Sequence, residues 1–375
     1  MITPMDEAGL AGAVAGAQGP LAVQGGGTRA ISGAGTVLSV AGLRGIELYE
    51  PGALTLVAAA GTPLAEIAAV LAGGKQRLAF EPPDMRGLLG SAGESTIGGV
   101  VAGNASGPRR IQAGAARDFL LGVRFVDGHG RVIRNGGRVM KNVTGYDLVK
   151  LMAGSWGTLG VLSQVALKVL PVAETEATLR IAGLGPEAAV AAMSRALGSP
   201  FDVTGAAHLV QGPGGDPVTL LRIEGFGGSV AYRAGRLRDL LAGFGDIDIE
   251  DDPGRGAAIW ARVRDVAPFH GVSGDVWRLS VKPSDAPGVA ARLEAKALLF
   301  DWGGGLIWAL MAEGSDLRAR AGVFAGHATL VRGSAETRAR LGVFHPLPAP
   351  LAAISAGLRA RFDPRGLFNP GLMGG

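Results

Sequence analysis

The 375-residue chain predicts an α+β fold in two parts, a domain of short strands and glycine turns over 1–172 and an antiparallel sheet with helices over 173–335, with a tail over 336–375. Three observations predict it. Glycine-rich turns at Gly25-Gly26-Gly27-Thr28, at Thr96-Ile97-Gly98-Gly99 and along Gly136–Val161 punctuate the first half. Short apolar runs bounded by glycine or proline separate them, as strands do. Behind Pro171 the composition changes, and from Thr175 to about Arg332 the pattern reads strand, helix, strand, strand, helix, strand, run through twice.

The elements follow in order. Residues 6–18 are alanine-rich and read as a helix; Leu21–Gln24 is a strand that enters the first glycine turn. Thr36–Val40 and Leu54–Ala59 are strands. Pro63–Leu71 places Leu64, Ile67, Ala68 and Leu71 at helical spacing, with Thr62 as its expected N-cap. Gly98–Ala102 is helical or turn-like. Phe119–Val126 and Arg131–Arg134 form a hairpin through Asp127-Gly128-His129-Gly130, Asp147–Met152 is a short helix, and Val161–Leu170 is a strand that Pro171 ends. The first repeat uses 177–182, 186–197, 203–210, 217–225, 228–243 and 245–250; the second uses 275–281, 285–296, 297–301, 305–312, 316–324 and 327–332. Ala349–Phe362 is a closing helix.

Composition narrows the function. Hydrophobic residues are 47% and charged residues 18%, enough to build a core and too apolar for a disordered chain. The net charge is +4, but the arginines are dispersed and often beside an acid, with no basic run interleaved with aromatics, so nucleic-acid binding is not expected. There is no cysteine, which excludes disulfides, thiolate catalysis, iron–sulfur clusters and cysteine-ligated zinc within this chain. The N-terminus lacks the basic stretch of a secretory signal and no apolar run is long enough to span a bilayer. The expectation is a cytoplasmic protein, held at the periphery of the inner membrane, if at all, through a partner.

The glycine turns carry the chemistry. Gly25-Gly26-Gly27-Thr28 offers successive backbone N–H groups with no Cβ in the way, which suits a pyrophosphate; Thr28 and Arg29 can add donors. Each hydrogen bond to a charged phosphate contributes roughly 1.5–3 kcal/mol. The Gly-Lys-Ser/Thr ending of a P-loop is missing, and Ala30 stands where the dinucleotide fingerprint has its third glycine, so a plain tight turn is the alternative. Thr96 to Arg110 brings Asn104, Ser106, Arg109 and Arg110 to one loop. Asn104 and Ser106 suit a polar heterocycle or a ribityl chain; a glycine-rich connector with solvated arginines is the other reading. Gly136–Val161 places Lys141, Asn142, Tyr146, Asp147 and Lys150 among glycines, where backbone can approach a partner closely. Three such turns from separate strands point to a large phosphate-bearing cofactor.

The order and spacing of these turns resemble the FAD domain of the vanillyl-alcohol oxidase / p-cresol methylhydroxylase superfamily. Ala60-Gly-Thr-Pro-Leu-Ala-Glu66, Ala79-Phe-Glu-Pro-Pro83, Ser106-Gly-Pro-Arg-Arg110, Arg117-Asp-Phe-Leu-Leu-Gly122 and Gly136 to Asp147 together are similar to the FAD-binding subunits of bacterial glycolate oxidases (glycolate dehydrogenases). The likeness is close over 20–171 and sparser at Trp277–Ser280, Asp301–Gly304, Trp308, Gly326–Thr329 and Phe368–Gly371. It implies a two-part p-cresol methylhydroxylase-type FAD domain at 1–172, a cap of ferredoxin-like units at 173–335 and a segment at 336–375 that returns to the FAD domain. Gly25, Gly26, Gly27 and Thr28 would hold the pyrophosphate. Thr96, Gly98, Gly99, Asn104 and Ser106 would line the ribityl and isoalloxazine side; Gly160 and Val161 would lie near the adenine, and Asn369 would approach the flavin. The implied partners are a second FAD-containing hydroxyacid dehydrogenase subunit and an iron–sulfur subunit, and the implied substrate is a small 2-hydroxy acid such as glycolate.

The chain also departs from that pattern. With no cysteine, and no histidine before His129, FAD is expected to be non-covalent. The Gly-Glu-His-Gly signature of metal-binding hydroxyacid dehydrogenases is missing, so no metal is expected, and Trp156 replaces the acid of the usual Gly-Ser-Glu-Gly-Thr-Leu-Gly. Among five histidines His327 is the candidate for proton transfer beside the flavin. Arg278 is the candidate for a substrate carboxylate, with an inter-subunit ion pair as its alternative. A free-standing FAD oxidoreductase and a non-catalytic flavin-fold scaffold are the rival readings.

Overall fold

The computed structural model describes residues 1–374 apart from 32, 139–144 and 213; Lys141 and Asn142 thus lie outside the described residues. In the first half two small sheets form, beside a short antiparallel pairing of Gln76–Arg77 with Leu170–Pro171. Leu21–Gln24 pairs in parallel with Thr36–Ser39, and single bridges add Ile2 beside Leu38 and Phe368 beside Leu21. The start and end of the chain therefore meet at the strand that feeds the first glycine turn. Helix Glu7–Ala15 is capped by Asp6, whose carboxylate accepts from the Gly9 N–H at 2.7 Å.

The second sheet is antiparallel, in the order Ile46–Glu50, Thr55–Ala59, Val161–Lys168, Leu120–Val126, Val132–Gly136. Its central strand turns Val161, Val165 and Leu167 to one face and carries Gln164 and Lys168 on the other. Leu56, Ile67, Leu71, Val100, Val101, Phe125, Val165 and Leu167 form the core between this sheet and the helices Leu64–Gly73 and Ile97–Ala102. The edge strand Ile46–Glu50 has no fully buried residue, which is why hydrophobic patterning missed it. Thr62 does not cap the helix at Leu64; its hydroxyl is spent on Gly45, accepting from the N–H and donating to the carbonyl, both at 3.0 Å. Thr96 and Asp147 do cap, accepting from Gly99 N–H at 3.3 Å and Lys150 N–H at 3.1 Å.

The second half is one eight-stranded antiparallel sheet. Its order is Ile247–Glu250, Thr175–Ala182, Val218–Gly225, Val203–Leu209, Ala297–Asp301, Leu306–Met311, Asp275–Val281, Gly326–Arg332. Each half of this sheet is a strand–helix–strand–strand–helix–strand unit, and the two units join edge to edge where His208 and Leu209 pair with Phe300 and Leu299. The helices Pro186–Leu197, Gly227–Leu241, Ala286–Leu293 and Leu317–Ala321 cover one face over Leu179, Leu221, Trp277, Leu279 and Ile307. Alternation along a strand sends the neighbouring residues to the opposite face. There Val276, Leu299, Leu306, Trp308 and Leu310 pack with Trp260 of helix Pro253–Arg264 and with Met85 and Leu88 of the first half.

That face meets the first half along a charged seam. Glu81, held at φ +53°, accepts both Arg222 amines at 3.1 and 3.0 Å and an Arg109 amine at 2.8 Å. Glu224 answers from the second half, taking Arg109 at 2.9 Å and Arg77 at 2.6 Å. Burial works to raise both carboxyls, and the surrounding guanidiniums overcome it, so both stay ionised. Asp265 accepts from the Asp84 N–H at 2.8 Å, and Trp302 Nε1 donates to the Gly107 carbonyl at 3.0 Å. No described helix is long and apolar enough to cross a membrane.

Candidate cofactor site

The first glycine turn leaves the small parallel sheet and faces a cleft of about 850 Å³ of open space. Gly25, Gly26, Gly27, Thr28 and Arg29 line one side; Thr96, Gly98 and Gly99 come from the capped helix start, and Trp156, Gly157, Gly160 and Val161 from the entry to the central strand. The cleft therefore gathers nine of the twelve predicted cofactor residues from turns more than sixty residues apart in sequence.

Two glycines are there for different reasons. A Cβ on Gly26 would collide with the Glu94 carbonyl, so this residue is fixed by the packing of one loop on another. Gly27 has φ +74°, and a Cβ there would meet no protein atom within 4 Å, so the space is free for something else. Into the same cleft points Arg29. Its Nη2 is buried without a hydrogen-bond partner among the described residues, and burial lowers its pKa to about 10. A cradle of backbone N–H groups beside an orphaned buried guanidinium fits the pyrophosphate of a dinucleotide.

The remaining three predicted cofactor residues act from behind the lining. Asn369, buried at φ +45°, accepts from the N–H groups of Val23 at 2.9 Å and Gly33 at 3.1 Å and donates to the Trp156 carbonyl at 2.8 Å. It ties the C-terminal segment to two of the loops that form the cleft. Asn104 and Ser106 do not line it: Asn104 Oδ1 accepts from Arg117 N–H at 3.0 Å and Ser106 Oγ from Ala116 N–H at 2.9 Å, so they shape the loop that carries Arg109 and Arg110. Tyr146 is exposed, and Lys150 is occupied by the carbonyls of Arg117 and Leu120.

Arg278 and His327 lie elsewhere, on the face of the large sheet turned to the first half. Arg278 pairs with Thr329 and Ser280 with His327 on adjacent strands, which puts all four on one face. Arg278 stacks on Trp302 with its guanidinium carbon 5.0 Å from the ring centre, and Arg110 of the first half stacks on the same ring at 4.3 Å. His327 keeps an exposed edge; partial burial first, then the charges of Arg278, His345 and Arg110, hold its pKa below the usual imidazole value, so it is neutral near pH 7. Asp301, at the start of the same turn, accepts from Trp302 N–H at 2.7 Å and is pushed up to about 7 by burial. Three of the other histidines are structural: His208 is buried on Thr219 at 3.0 Å, His270 meets the Asp265 carbonyl at 2.8 Å and His345 accepts from Ala328 N–H at 3.3 Å; His129 is exposed in the hairpin turn. No group of three or more potential metal ligands occurs among the described residues.

The sequence leaves Arg110 either in a cofactor loop or solvated, and Trp302 either against the flavin or in core or interface packing. The signal available for Arg110 was its place beside Arg109 in a glycine-rich loop; nothing local marked Trp302 as the ring both halves share.

Comparison with known proteins agrees with this geometry. Residues 2–136 match the FAD binding domain family. The chain is 38% identical over 359 residues to glycolate oxidase subunit GlcE of Escherichia coli (strain K12), covering 94% of this chain and 92% of that protein. It is 41% identical over 100 residues to glycolate oxidase subunit GlcD of Bacillus subtilis (strain 168), covering 27% of this chain and 20% of that one. It is 32% identical over 157 residues to a D-lactate dehydrogenase of Archaeoglobus fulgidus, covering 40% and 33%. Among solved structures alkyldihydroxyacetonephosphate synthase superposes with a TM-score of 0.71 at 15% identity, over 99% of this chain and 76% of that one, a likeness of fold. With a relative 38% identical over 94% of its length, the chain belongs to the family of FAD-binding glycolate oxidase subunits, FAD-dependent oxidoreductases of the vanillyl-alcohol oxidase / p-cresol methylhydroxylase superfamily.

Proposed function

We propose that this chain is the FAD-bearing subunit of a heteromeric complex that oxidises a small 2-hydroxy acid such as glycolate and passes the electrons to an iron–sulfur partner subunit, alongside a second flavin subunit. In this reading 1–172 and 336–375 form the FAD domain and 173–335 the cap. The observation that carries it is Arg29, a buried cation left without a partner inside a glycine-lined cleft, in a chain that aligns along its length with a glycolate oxidase subunit.

FAD, when bound, supplies the two-electron chemistry that side chains lack. Gly25 to Thr28 and Arg29 would hold its pyrophosphate, Thr96, Gly98 and Gly99 its middle, and Gly160 and Val161 the adenine side, with Asn369 locking the loops. Asn104 and Ser106 would act through the loop they shape. The hold is non-covalent: the chain has no cysteine and no described histidine lines the cleft. Arg278 would orient a substrate carboxylate, and neutral His327 would accept the hydroxyl proton. Clusters for onward electron transfer must come from a partner, since this chain has no cysteine to ligate them.

The test is an anaerobic visible spectrum of the purified chain before and after glycolate, repeated on the complex isolated under native expression. Bleaching of bound flavin in the isolated chain supports hydroxyacid oxidation by this subunit. Flavin that bleaches only in the complex assigns it a relay role. A native preparation with flavin but no iron–sulfur protein overturns the complex.

A further inference from the structure

Half-buried and buried arginines in this protein are almost all paired. Along the seam Arg77, Arg109, Arg222 and Arg264 each hold a carboxylate, even though several of them line a second large cleft. Away from it Arg318, Arg332 and Arg338 are saturated by backbone carbonyls. Among the described residues three arginines that are not exposed have no side-chain hydrogen bond or ion pair: Arg29, Arg110 and Arg278. Arg29 belongs to the pyrophosphate cleft. The other two converge on one tryptophan from opposite sides of the seam.

Leaving two guanidiniums together is costly. Each is desolvated, and each repels the other; burial and then the charge of Arg110 lower Arg278 to about 10. The ring face of Trp302 offsets part of this by cation–π attraction to both guanidiniums. The acids that act on them, Asp118 on Arg110 and Asp301 on Arg278, form no ion pair with either, and Asp301 gives its carboxylate to Trp302 N–H. Trp302 is fixed in turn by its Nε1 bond to the Gly107 carbonyl, three residues before Arg110, so ring and loop hold the two guanidiniums in place. His327 adds a third polar group within electrostatic reach of both.

We propose that Arg110 and Arg278, stacked on Trp302 across the seam, form a binding site for the carboxylate of a small organic acid. The site needs both halves of the chain, and its ligand acts as the counter-ion that the fold leaves out. This deepens the proposed function and rests on it for the identity of the acid, but the anion site stands on its own geometry. Arg110 was no part of the candidate site read from the sequence.

The probe is oxalate, a small dicarboxylate with no hydroxyl to oxidise. Binding to the flavin-loaded chain is measured by calorimetry for the wild type, Arg110→Met, Arg278→Met, Arg278→Lys and the exposed control Arg195→Met, with flavin content and Tm recorded for each. Saturable binding is expected in the wild type and in Arg195→Met. Each methionine variant should bind at least tenfold more weakly, with Arg278→Lys between. Affinity unchanged in either methionine variant, loss of equal size in Arg195→Met, or no saturable binding by the wild type overturns the site. Should Arg278→Met fail to load flavin, Arg110→Met and Arg278→Lys decide. If glycolate bleaches the flavin while oxalate ignores both arginines, the function stands and this site falls. If oxalate binding needs both arginines while glycolate leaves the flavin oxidised, the site stands and the substrate assignment falls.

Discussion

Replacing Arg29 with methionine separates a cofactor residue from a structural one, because the two roles predict opposite signs. Methionine keeps much of the stem's volume and removes the charge. Arg29 Nη2 is sealed from solvent with no partner among the described residues, although the residue as a whole is only half-buried. Its pKa, lowered by burial from the usual guanidinium range to about 10, reflects the cost of burying that charge. At about 1.4 kcal/mol per pKa unit, discounted for the exposed stem, the cost is about 2–3 kcal/mol. A lowered basic pKa is a penalty present in full below pH 10 and relieved as pH rises above it, so at neutral pH removing the group stabilises the flavin-free chain. In the loaded chain the sign reverses. Loss of one or two charge-assisted bonds to phosphate, at roughly 1.5–3 kcal/mol each, weakens FAD binding by ten- to several-hundred-fold or more. The assay is differential scanning calorimetry of stripped and reconstituted protein, with FAD affinity from fluorescence titration. A Tm several degrees above wild type without FAD and below it with saturating FAD is expected. A variant less stable in the stripped state, or one with unchanged FAD affinity, refutes the reasoning.

Three further outcomes follow from the same coordinates. Asn369→Ala leaves the N–H groups of Val23 and Gly33 and the Trp156 carbonyl without their buried partner, at about 1–3 kcal/mol each, so Tm and FAD affinity should fall together; a change in neither, by calorimetry and titration, would sink the idea that the tail locks the cleft. Asp301 is held near 7 by burial, well above the unfolded value near 3.8, so its contribution to stability is complete below about pH 4 and is lost as pH rises through 7. Asp301→Asn should therefore gain on the wild type by up to about 4 kcal/mol between pH 4 and pH 8 in denaturant titrations, and a difference that does not vary with pH would contradict it. Glu81→Ala strands Arg222 and part of Arg109, and should cost about 3–5 kcal/mol, with Arg222→Met on top restoring some of the loss; additive losses in the double variant would mean the pair is not coupled.

The parts of this protein that were legible in its sequence are those whose cause is local. Gly27 must be free of a Cβ because of its own φ, and Thr96 and Asp147 announce their helices because a cap acts over three residues. The doubled strand–helix pattern was readable from apolar alternation, and its edge-to-edge joining at His208–Phe300 was not, since nothing in either strand names its neighbour. Helix Pro253–Arg264 was missed although Asp252 and Pro253 are a good start signal, because Gly254, Gly256 and three arginines dilute its apolar face to Gly256, Trp260 and Val263. Asn369 entered the candidate site only through family likeness: its three bonds span more than two hundred residues of chain.

Charge was the least legible property, and for a physical reason. A surplus of four positive charges in sixty-eight charged residues says nothing about which cations lack a partner, because pairing is decided by burial and by neighbours distant in sequence. Arg109 and Arg110 are adjacent and chemically identical, yet one is held by Glu81, Glu224 and Glu176 while the other stacks on an indole ring with no ion pair among the described residues. A fold that satisfies Arg109 with Glu81 and Glu224 could have satisfied Arg110 in the same way at little cost in chain length. That it places Arg278 opposite Arg110 on one ring, with neither in an ion pair among the described residues, is an arrangement that costs stability and that a bound anion would offset, and Arg29 in the glycine cleft is built on the same terms.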